Sequence, residues 1–178
     1  MRLETDRLVI KPLTLANLDD YAAMVADPAV MRYLNEGVPR TREYASNYLG
    51  NLVKQQKEKG FTRYGVFARS DGELLGHCGY KDIEGRIDIG WTYVRRVWGK
   101  GIGTEAAKAV LKYGFDALDF ADITARTVPE NKGSVGIMKA VGMRLTNSFL
   151  WEDESNPDFP GIEVVEYQVS LVEWGSQH

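Results

Sequence analysis

The chain of 178 residues has one cysteine, Cys78, and two histidines, His77 and His178. A lone thiol closes no internal disulfide, and this set supplies neither a zinc knuckle nor a multi-histidine metal centre. No metal site is expected, and the cysteine usage suits a reducing cytoplasm. No apolar run reaches the ~20 residues of a membrane helix, and the opening MRLETDRLVI is charged within its first seven positions, unlike a secretory signal. A positive excess is missing as well: 22 Lys+Arg stand against 25 Asp+Glu, a formal net charge of −3. The basic footprint of a nucleic-acid-binding domain is therefore absent. Basic residues are missing altogether from 145–178, which hold seven acids, whereas 95–144 hold nine basic residues and five acids. This division suits a protein that holds an anion in one place and a cation in another, or an acidic end that serves solubility.

What is present reads as one α+β domain spanning residues 1–178, with its core over about 3–171. A 44% hydrophobic content lines one sizeable core. Leu3 to Pro12 is the first expected strand. Leu18, Tyr21, Ala22 and Val25 then fall at helical spacing after Thr14, Asp27-Pro28 restarts a short helix, and Thr41 to about Lys59 forms a long one stopped by Gly60. Period-two patterning follows over Tyr64–Arg69, Glu73–Asp82 and Arg86–Val94, an antiparallel meander with Ile87, Ile89, Trp91 and Tyr93 on one face and Asp88, Gly90, Thr92 and Val94 on the other. A helix over Thr104–Leu118, a strand over Ala121–Val128, a helix over Lys132–Val141, and strands over Leu145–Trp151 and Ile162–Leu171 complete the chain. His77 and Cys78 read as packing residues of the second meander strand, and Trp91 and Tyr93 as core.

Chemistry concentrates between the fourth strand and the following helix, in Arg95-Arg96-Val97-Trp98-Gly99-Lys100-Gly101-Ile102-Gly103-Thr104. Glycines let backbone N–H groups approach a ligand closely, and the first amides of the helix point to the same place. Positive side chains and the helix dipole make such a turn fit for phosphate oxygens; a turn that merely joins strand to helix is the plainer alternative. The lysine of a Walker loop is not where that motif requires it, and a dinucleotide fingerprint belongs early in a βαβ unit rather than after three antiparallel strands.

The order and spacing of this second half resemble the GNAT superfamily of acyl-CoA N-acyltransferases, whose pyrophosphate loop reads Q/R-x-x-G-x-G/A. Trp98 to Gly103 matches it except at the first position. Trp98 to Ala106 is similar to the branch containing the ribosomal-protein N-terminal acetyltransferases RimJ and RimL. So are Glu4-Thr5-Asp6-Arg7-Leu8, Ile89-Gly90-Trp91, Asn131-x-x-Ser134 and Val141-Gly142-Met143. The resemblance implies a central, mixed, mostly antiparallel twisted sheet of about seven strands flanked by about four helices. It also implies acetyl transfer from acetyl-CoA, without a metal, to a primary amine acceptor: a protein N-terminal amine or a small-molecule amine. Such a protein works as a monomer or homodimer in the cytoplasm, with neither nucleic acid nor membrane as partner.

Carried over residue by residue, the backbone of Thr92, Tyr93 and Val94 pairs with the pantetheine arm and supplies an oxyanion donor. The amides of Gly99, Lys100, Gly101, Ile102, Gly103 and Thr104 meet the pyrophosphate, and Asn131 holds the pantetheine from the other side. Lys132 and Lys139 are candidate contacts for outer phosphates or plain helix-surface charges. Asp88 is the candidate base, otherwise a hydrated strand residue; Glu152, Asp153 and Glu154 are the reserve. Met138 stands where many members carry an acidic tyrosine and donates no proton, which leaves Ser134 as the group for the departing thiolate, or else a helix-start residue satisfying backbone. Tyr33 and residues 15–59 wall the acceptor cleft, and the acidic end 145–178 borders it and draws in a cationic amine. A CoA-binding module without turnover, and a different nucleotide enzyme, are the alternatives.

Overall fold

The computed structural model describes residues 1–34, 37–152 and 161–177. The first expected strand is instead a hairpin of β1 (Leu3–Glu4) and β2 (Leu8–Pro12). Thr5 causes the break: its Oγ1 accepts from the Leu8 N–H at 3.1 Å and its own N–H donates to the Leu8 carbonyl at 3.0 Å, closing a turn around Asp6 and Arg7. Three helices follow, α1 (Leu18–Val25), α2 (Pro28–Met31) and α3 (Arg42–Lys59). Asp27 accepts from the Ala29 N–H at 2.9 Å with Pro28 at the first helical position, Thr41 accepts from Tyr44 N–H at 3.2 Å, and Gly60 closes α3 at φ +77°. Thr14 starts a single 3-10 turn, Leu15–Asn17, ahead of α1.

The meander is β3 (Arg63–Ala68), β4 (Leu74–Ile83) and β5 (Arg86–Tyr93), paired antiparallel. After it come α4 (Ile102–Ala117), β6 (Asp122–Thr127), α5 (Lys132–Ala140), β7 (Arg144–Trp151), β8 (Ile162–Ser170) and α6 (Leu171–Gln177). The sheet thus has eight strands in the order β1-β2-β3-β4-β5-β6-β8-β7, and six α-helices are present among the described residues, rather than about seven and four. Helix α6 was not expected. It begins with a capping box that the sequence does carry, Ser170 and Glu173: the Glu173 carboxylate accepts from the Ser170 N–H at 2.9 Å, and Ser170 Oγ accepts from the Glu173 N–H at 3.2 Å. Trp174 then packs on Phe115, ring centres 5.7 Å apart.

Helices cover both sheet faces. On one, Tyr64, Tyr80, Ile89 and Tyr93 pack against Ala107, Val110 and Leu111 of α4. Burying Val110 and Leu111 to zero exposure stabilises this seat by roughly 1.5–3 kcal/mol per side chain. The Tyr80 hydroxyl donates to the Val110 carbonyl at 2.5 Å, a contact that a β-carbon at Gly114 would obstruct at 2.2 Å. On the other face, Leu13, Phe67 and Leu74 meet Tyr21, Met24 and Leu49 of α1 and α3.

The sheet is antiparallel except where β5 meets β6. These strands pair at one parallel position, Asp88 opposite Thr124, reinforced by a 3.1 Å bond from Thr124 Oγ1 to the Ile87 carbonyl. No ladder continues beyond it toward Tyr93 and Thr127, so the sheet opens there.

Candidate active site

After β5 the backbone turns through Gly99 at φ +71° and Gly101 at φ +75°, conformations that cost an ordinary L-residue roughly 1–2 kcal/mol. Gly101 precedes the first turn of α4, whose first ladder bond runs from the Glu105 N–H to the Gly101 carbonyl at 3.0 Å. The N–H groups of Ile102, Gly103 and Thr104 therefore have no helix partner and collect at the positive end of the dipole. A β-carbon at Gly103 would lie 2.5 Å from Ile137 Cδ1 and 3.0 Å from the Tyr93 ring, so close packing of α4 on α5 and β5 needs glycine there.

The loop is braced from behind by the amino-terminal hairpin. Arg7 Nη1 donates to the Lys100 carbonyl at 2.8 Å and Arg7 Nε to Glu105 at 2.6 Å, while the Thr5 hydroxyl donates to Glu105 at 2.5 Å. Burial pushes the Glu105 carboxyl up, and the bonds from Thr5 and Arg7 outweigh it, holding the group below its ordinary value. Arg95 and Arg96 lie 3.5 Å from Asp27 and 2.5 Å from Glu73, so both loop arginines are engaged in ion pairs.

A cavity of about 630 Å³ opens beside this loop, within the ~300–1,000 Å³ of small-molecule sites. It gathers Thr92, Tyr93, Gly99, Gly101, Gly103, Thr104, Asn131 and Ser134, together with Lys132 and Tyr33. Three of the expected backbone contacts, along with Lys139, do not border it. Ile102 turns into the core at 7% exposure, Lys100 is exposed and gives its carbonyl to Arg7, and the Val94 N–H is already bonded to the Leu75 carbonyl at 2.9 Å. Ladder bonds alternate along an antiparallel strand, so Thr92 shares the β4-facing direction of Val94, while the N–H groups of Trp91 and Tyr93 point into the gap toward β6. The Tyr93 carbonyl accepts from the Trp98 indole at 2.9 Å. The left-handed glycines, unpaired amides and open strand edge fit a pyrophosphate joined to an extended arm.

On the far side, Asn131 Oδ1 accepts from the Ser134 N–H at 3.2 Å, capping α5. The Ser134 hydroxyl makes no hydrogen bond among the described residues, so it is not spent on backbone. Met138 is 1% exposed in the core. Asp88 is not a hydrated strand residue: it is 6% exposed, 3.5 Å from Arg63 and 3.5 Å from Arg126, and borders neither cavity described here. Burial raises its carboxyl above the ordinary value, against the pull of the two arginines. Glu152 is exposed after β7; Asp153 and Glu154 lie outside the described residues.

A second cavity, of about 390 Å³, shares Leu34 and Thr92 with the first. Its walls include Tyr21, Tyr44, Tyr48, His77, Arg63 and Lys81. The Tyr21 and Tyr48 rings stack at 5.5 Å, those of Tyr44 and Tyr48 at 6.0 Å, and the Tyr21 hydroxyl lies 3.3 Å from His77 Nδ1. Burial, with the Arg63 charge beside it, pushes the His77 imidazole down to about 3, so it is neutral. His77 thus lines a cavity rather than only packing, whereas Cys78 faces the core with its thiol pushed up to about 12 by burial. The tyrosines escape a sequence reading because helical spacing cannot separate a core stripe from a cavity wall. A histidine in the inward phase of an otherwise apolar strand was the available signal.

The described part of the acidic end, 145–178, does not border the cavities. Glu166 pairs with Arg86 at 2.8 Å, Glu173 with Arg144, and Glu163 accepts from Ser148 at 2.9 Å. Among the described residues there is no group of three or more His, Cys, Asp or Glu that would hold a metal ion, and no helix long and apolar enough to cross a membrane.

Residues 7–144 match the acetyltransferase (GNAT) domain family. The chain is 32% identical over 151 residues to the uncharacterized N-acetyltransferase YnaD of Bacillus subtilis (strain 168), covering 84% of this chain and 86% of that protein. The GNAT-family acetyltransferase from Bacillus anthracis superposes with a TM-score of 0.81 at 27% identity, covering 97% of this chain and 99% of that one. RimL, a ribosomal L7/L12 alpha-N-protein acetyltransferase solved with coenzyme A, shares the fold at a TM-score of 0.80 and 13% identity, over 96% and 98% of the two chains. The loop, the opened sheet and these matches agree: the chain belongs to the GNAT family of acetyltransferases, which transfer an acetyl group from acetyl-CoA.

Proposed function

We propose that this chain is a cytoplasmic acetyl-CoA-dependent N-acetyltransferase of the RimJ/RimL-like branch, built as a single domain, monomeric or homodimeric, and acting on a primary amine. The acceptor is a protein N-terminal amine or a small-molecule amine. The observation that carries this reading is the gap between β5 and β6, which opens on a cavity ended by the left-handed glycine loop.

Bound acetyl-CoA supplies a thioester carbonyl and a thiolate leaving group. The amides of Gly99, Gly101, Gly103 and Thr104, which border the cavity, hold its pyrophosphate, while the Lys100 N–H is taken by the Val97 carbonyl; the free edge of β5 aligns the pantetheine, and the Asn131 side-chain amide faces it from α5. The Tyr93 N–H is the donor best directed at the carbonyl oxygen as negative charge develops there. Ser134 Oγ hydrogen-bonds the departing sulfur. Asp88, four residues before Thr92 on the same strand face, is the candidate base; it borders neither cavity, so the amine proton reaches it only through a water relay, and burial raises its carboxyl above that of an ordinary aspartate. An α-amino group, of pKa ~7.7–8.0, asks less of that base than a lysine at ~10.4.

Release of free CoA thiol is measured with acetyl-CoA and a panel of amines and peptide N-termini. Turnover is expected, and its absence across the panel sinks this reading. The second reading, CoA binding without turnover, is favoured by Met138 and by the removal of Asp88 from both cavities. Thermal stabilisation by CoA without thiol release selects it.

A further inference from the structure

We infer that the acceptor is a small primary amine bearing its own carboxylate, of amino-acid type, held in the 390 Å³ cavity by Arg63 and Lys81. This rests on the acetyltransferase reading above and narrows its substrate. Three observations carry it.

The first is position and size. The cavity touches the larger one through Thr92 and Leu34, and His77 stands directly across the β4–β5 ladder from Thr92. An amine inside it therefore reaches the strand edge where the thioester would lie. At about 390 Å³ the space suits a small molecule.

The second is charge. Among the described residues the lining holds two cations, Arg63 and Lys81, and no carboxylate. Asp88 lies behind Arg63 and is shared with Arg126, each at 3.5 Å, well beyond the ~2.7–2.9 Å of a strong charge-assisted bond. Two guanidinium groups thus share one carboxylate, and Arg63 Nε is buried without a partner. A ligand carboxylate balances this charge, whereas a purely cationic amine would meet repulsion.

The third is construction. A β-carbon at Gly90 would lie 2.5 Å from the Arg63 guanidinium, so the sheet omits a side chain to let that group lie across it. Buried His77 Nε2 also has no partner among the described residues. The neutral imidazole and the tyrosine hydroxyls bring no negative charge to hold an ammonium, and the two cations favour the neutral, nucleophilic form of the amine.

The test compares kcat/KM at pH 7.5 for free L-amino acids, their carboxamides, and short peptides with the same first residue. The carboxamides have the less basic amines, so preference for the free acids runs against intrinsic reactivity. The expected ratio of acid to amide is at least ~tenfold. Arg63→Gln should bring it toward one. Because that change also strips Asp88 of a partner, Lys81→Gln, at an exposed position, gives the same readout without a folding defect, by a smaller margin. Amides or peptides used as well as the free acids overturn the inference and leave the acetyltransferase reading standing. No transfer to any of them overturns the inference, and only silence across the wider panel of amines, with thermal stabilisation by CoA intact, overturns the acetyltransferase reading as well.

Discussion

Arg7 grips Glu105 across 98 positions of sequence, Nε to Oε2 at 2.6 Å and backbone N–H to Oε1 at 3.1 Å, while its Nη1 holds the Lys100 carbonyl. The β1–β2 hairpin is thereby the outer brace of the loop proposed to receive the pyrophosphate. Arg7→Ala should raise the KM for acetyl-CoA about threefold to tenfold with little change in kcat, the pattern of lost ground-state binding. The pair is half exposed, so unfolding free energy should drop by only ~0.5–1 kcal/mol, read by urea denaturation.

Gly101 combines a φ of +75° with a place beside the unpaired α4 amides. Gly101→Val introduces backbone strain, and its β-carbon would come within 3.4 Å of the Arg7 guanidinium, so the substitution displaces the loop and the brace that holds its amides in place. CoA affinity, measured by isothermal calorimetry, should fall at least tenfold, with ~1–3 kcal/mol of lost stability from the left-handed conformation. CoA binding unchanged by this substitution would falsify the loop assignment.

Ser134 offers an idle hydroxyl at the mouth of the cleft, its N–H already used by Asn131. Ser134→Ala should therefore leave the melting temperature within about a degree, since the lost hydroxyl sits outside any buried network. The expected loss in kcat is about tenfold to a hundredfold at constant KM for acetyl-CoA. A kcat equal to that of the parent enzyme would remove Ser134 from the chemistry.

His77 makes stability depend on pH in a defined window. Its folded value of about 3 lies below the ordinary 6.5. As pH falls through 6.5 toward 3, the unfolded chain takes up a proton that the folded one refuses, so stability is complete above this window and is lost on acidification. The added slope is up to ~1.4 kcal/mol per pH unit. Urea unfolding at pH 7.5, 6 and 5 should show that slope in the parent and a shallower one in His77→Gln; parallel slopes would mean that His77 is solvated or charged when folded.

Several elements were legible because their signals are local. The caps of Asp27 and Thr41 and the stop at Gly60 act within one helical turn, and the meander follows from alternation over short turns. The glycine loop was legible for the same reason: two left-handed residues and a helix start are properties of a few consecutive peptide units. Other elements were misread where a signal was local but overlooked, as with the Ser170–Glu173 capping box, or where one side chain broke an otherwise continuous pattern, as Thr5 splits the first strand.

The candidate site divides along the same line. Sequence by itself determined the α+β order, the phosphate-fit loop and the placement of Asn131 and Ser134 at one helix start, because each depends on residues close in the chain; that Met138 stands where many relatives carry a tyrosine came only from the family resemblance. Only the tertiary structure decided which amides stay free, since the Leu75 carbonyl takes the Val94 N–H from the neighbouring strand. It also decided that Asp88 is clamped between Arg63 and Arg126, and that His77 and three tyrosines wall a second cavity at the edge of the core. Burial and charge pairing are sums over neighbours that the chain brings together from distant positions, and one-dimensional spacing does not carry them.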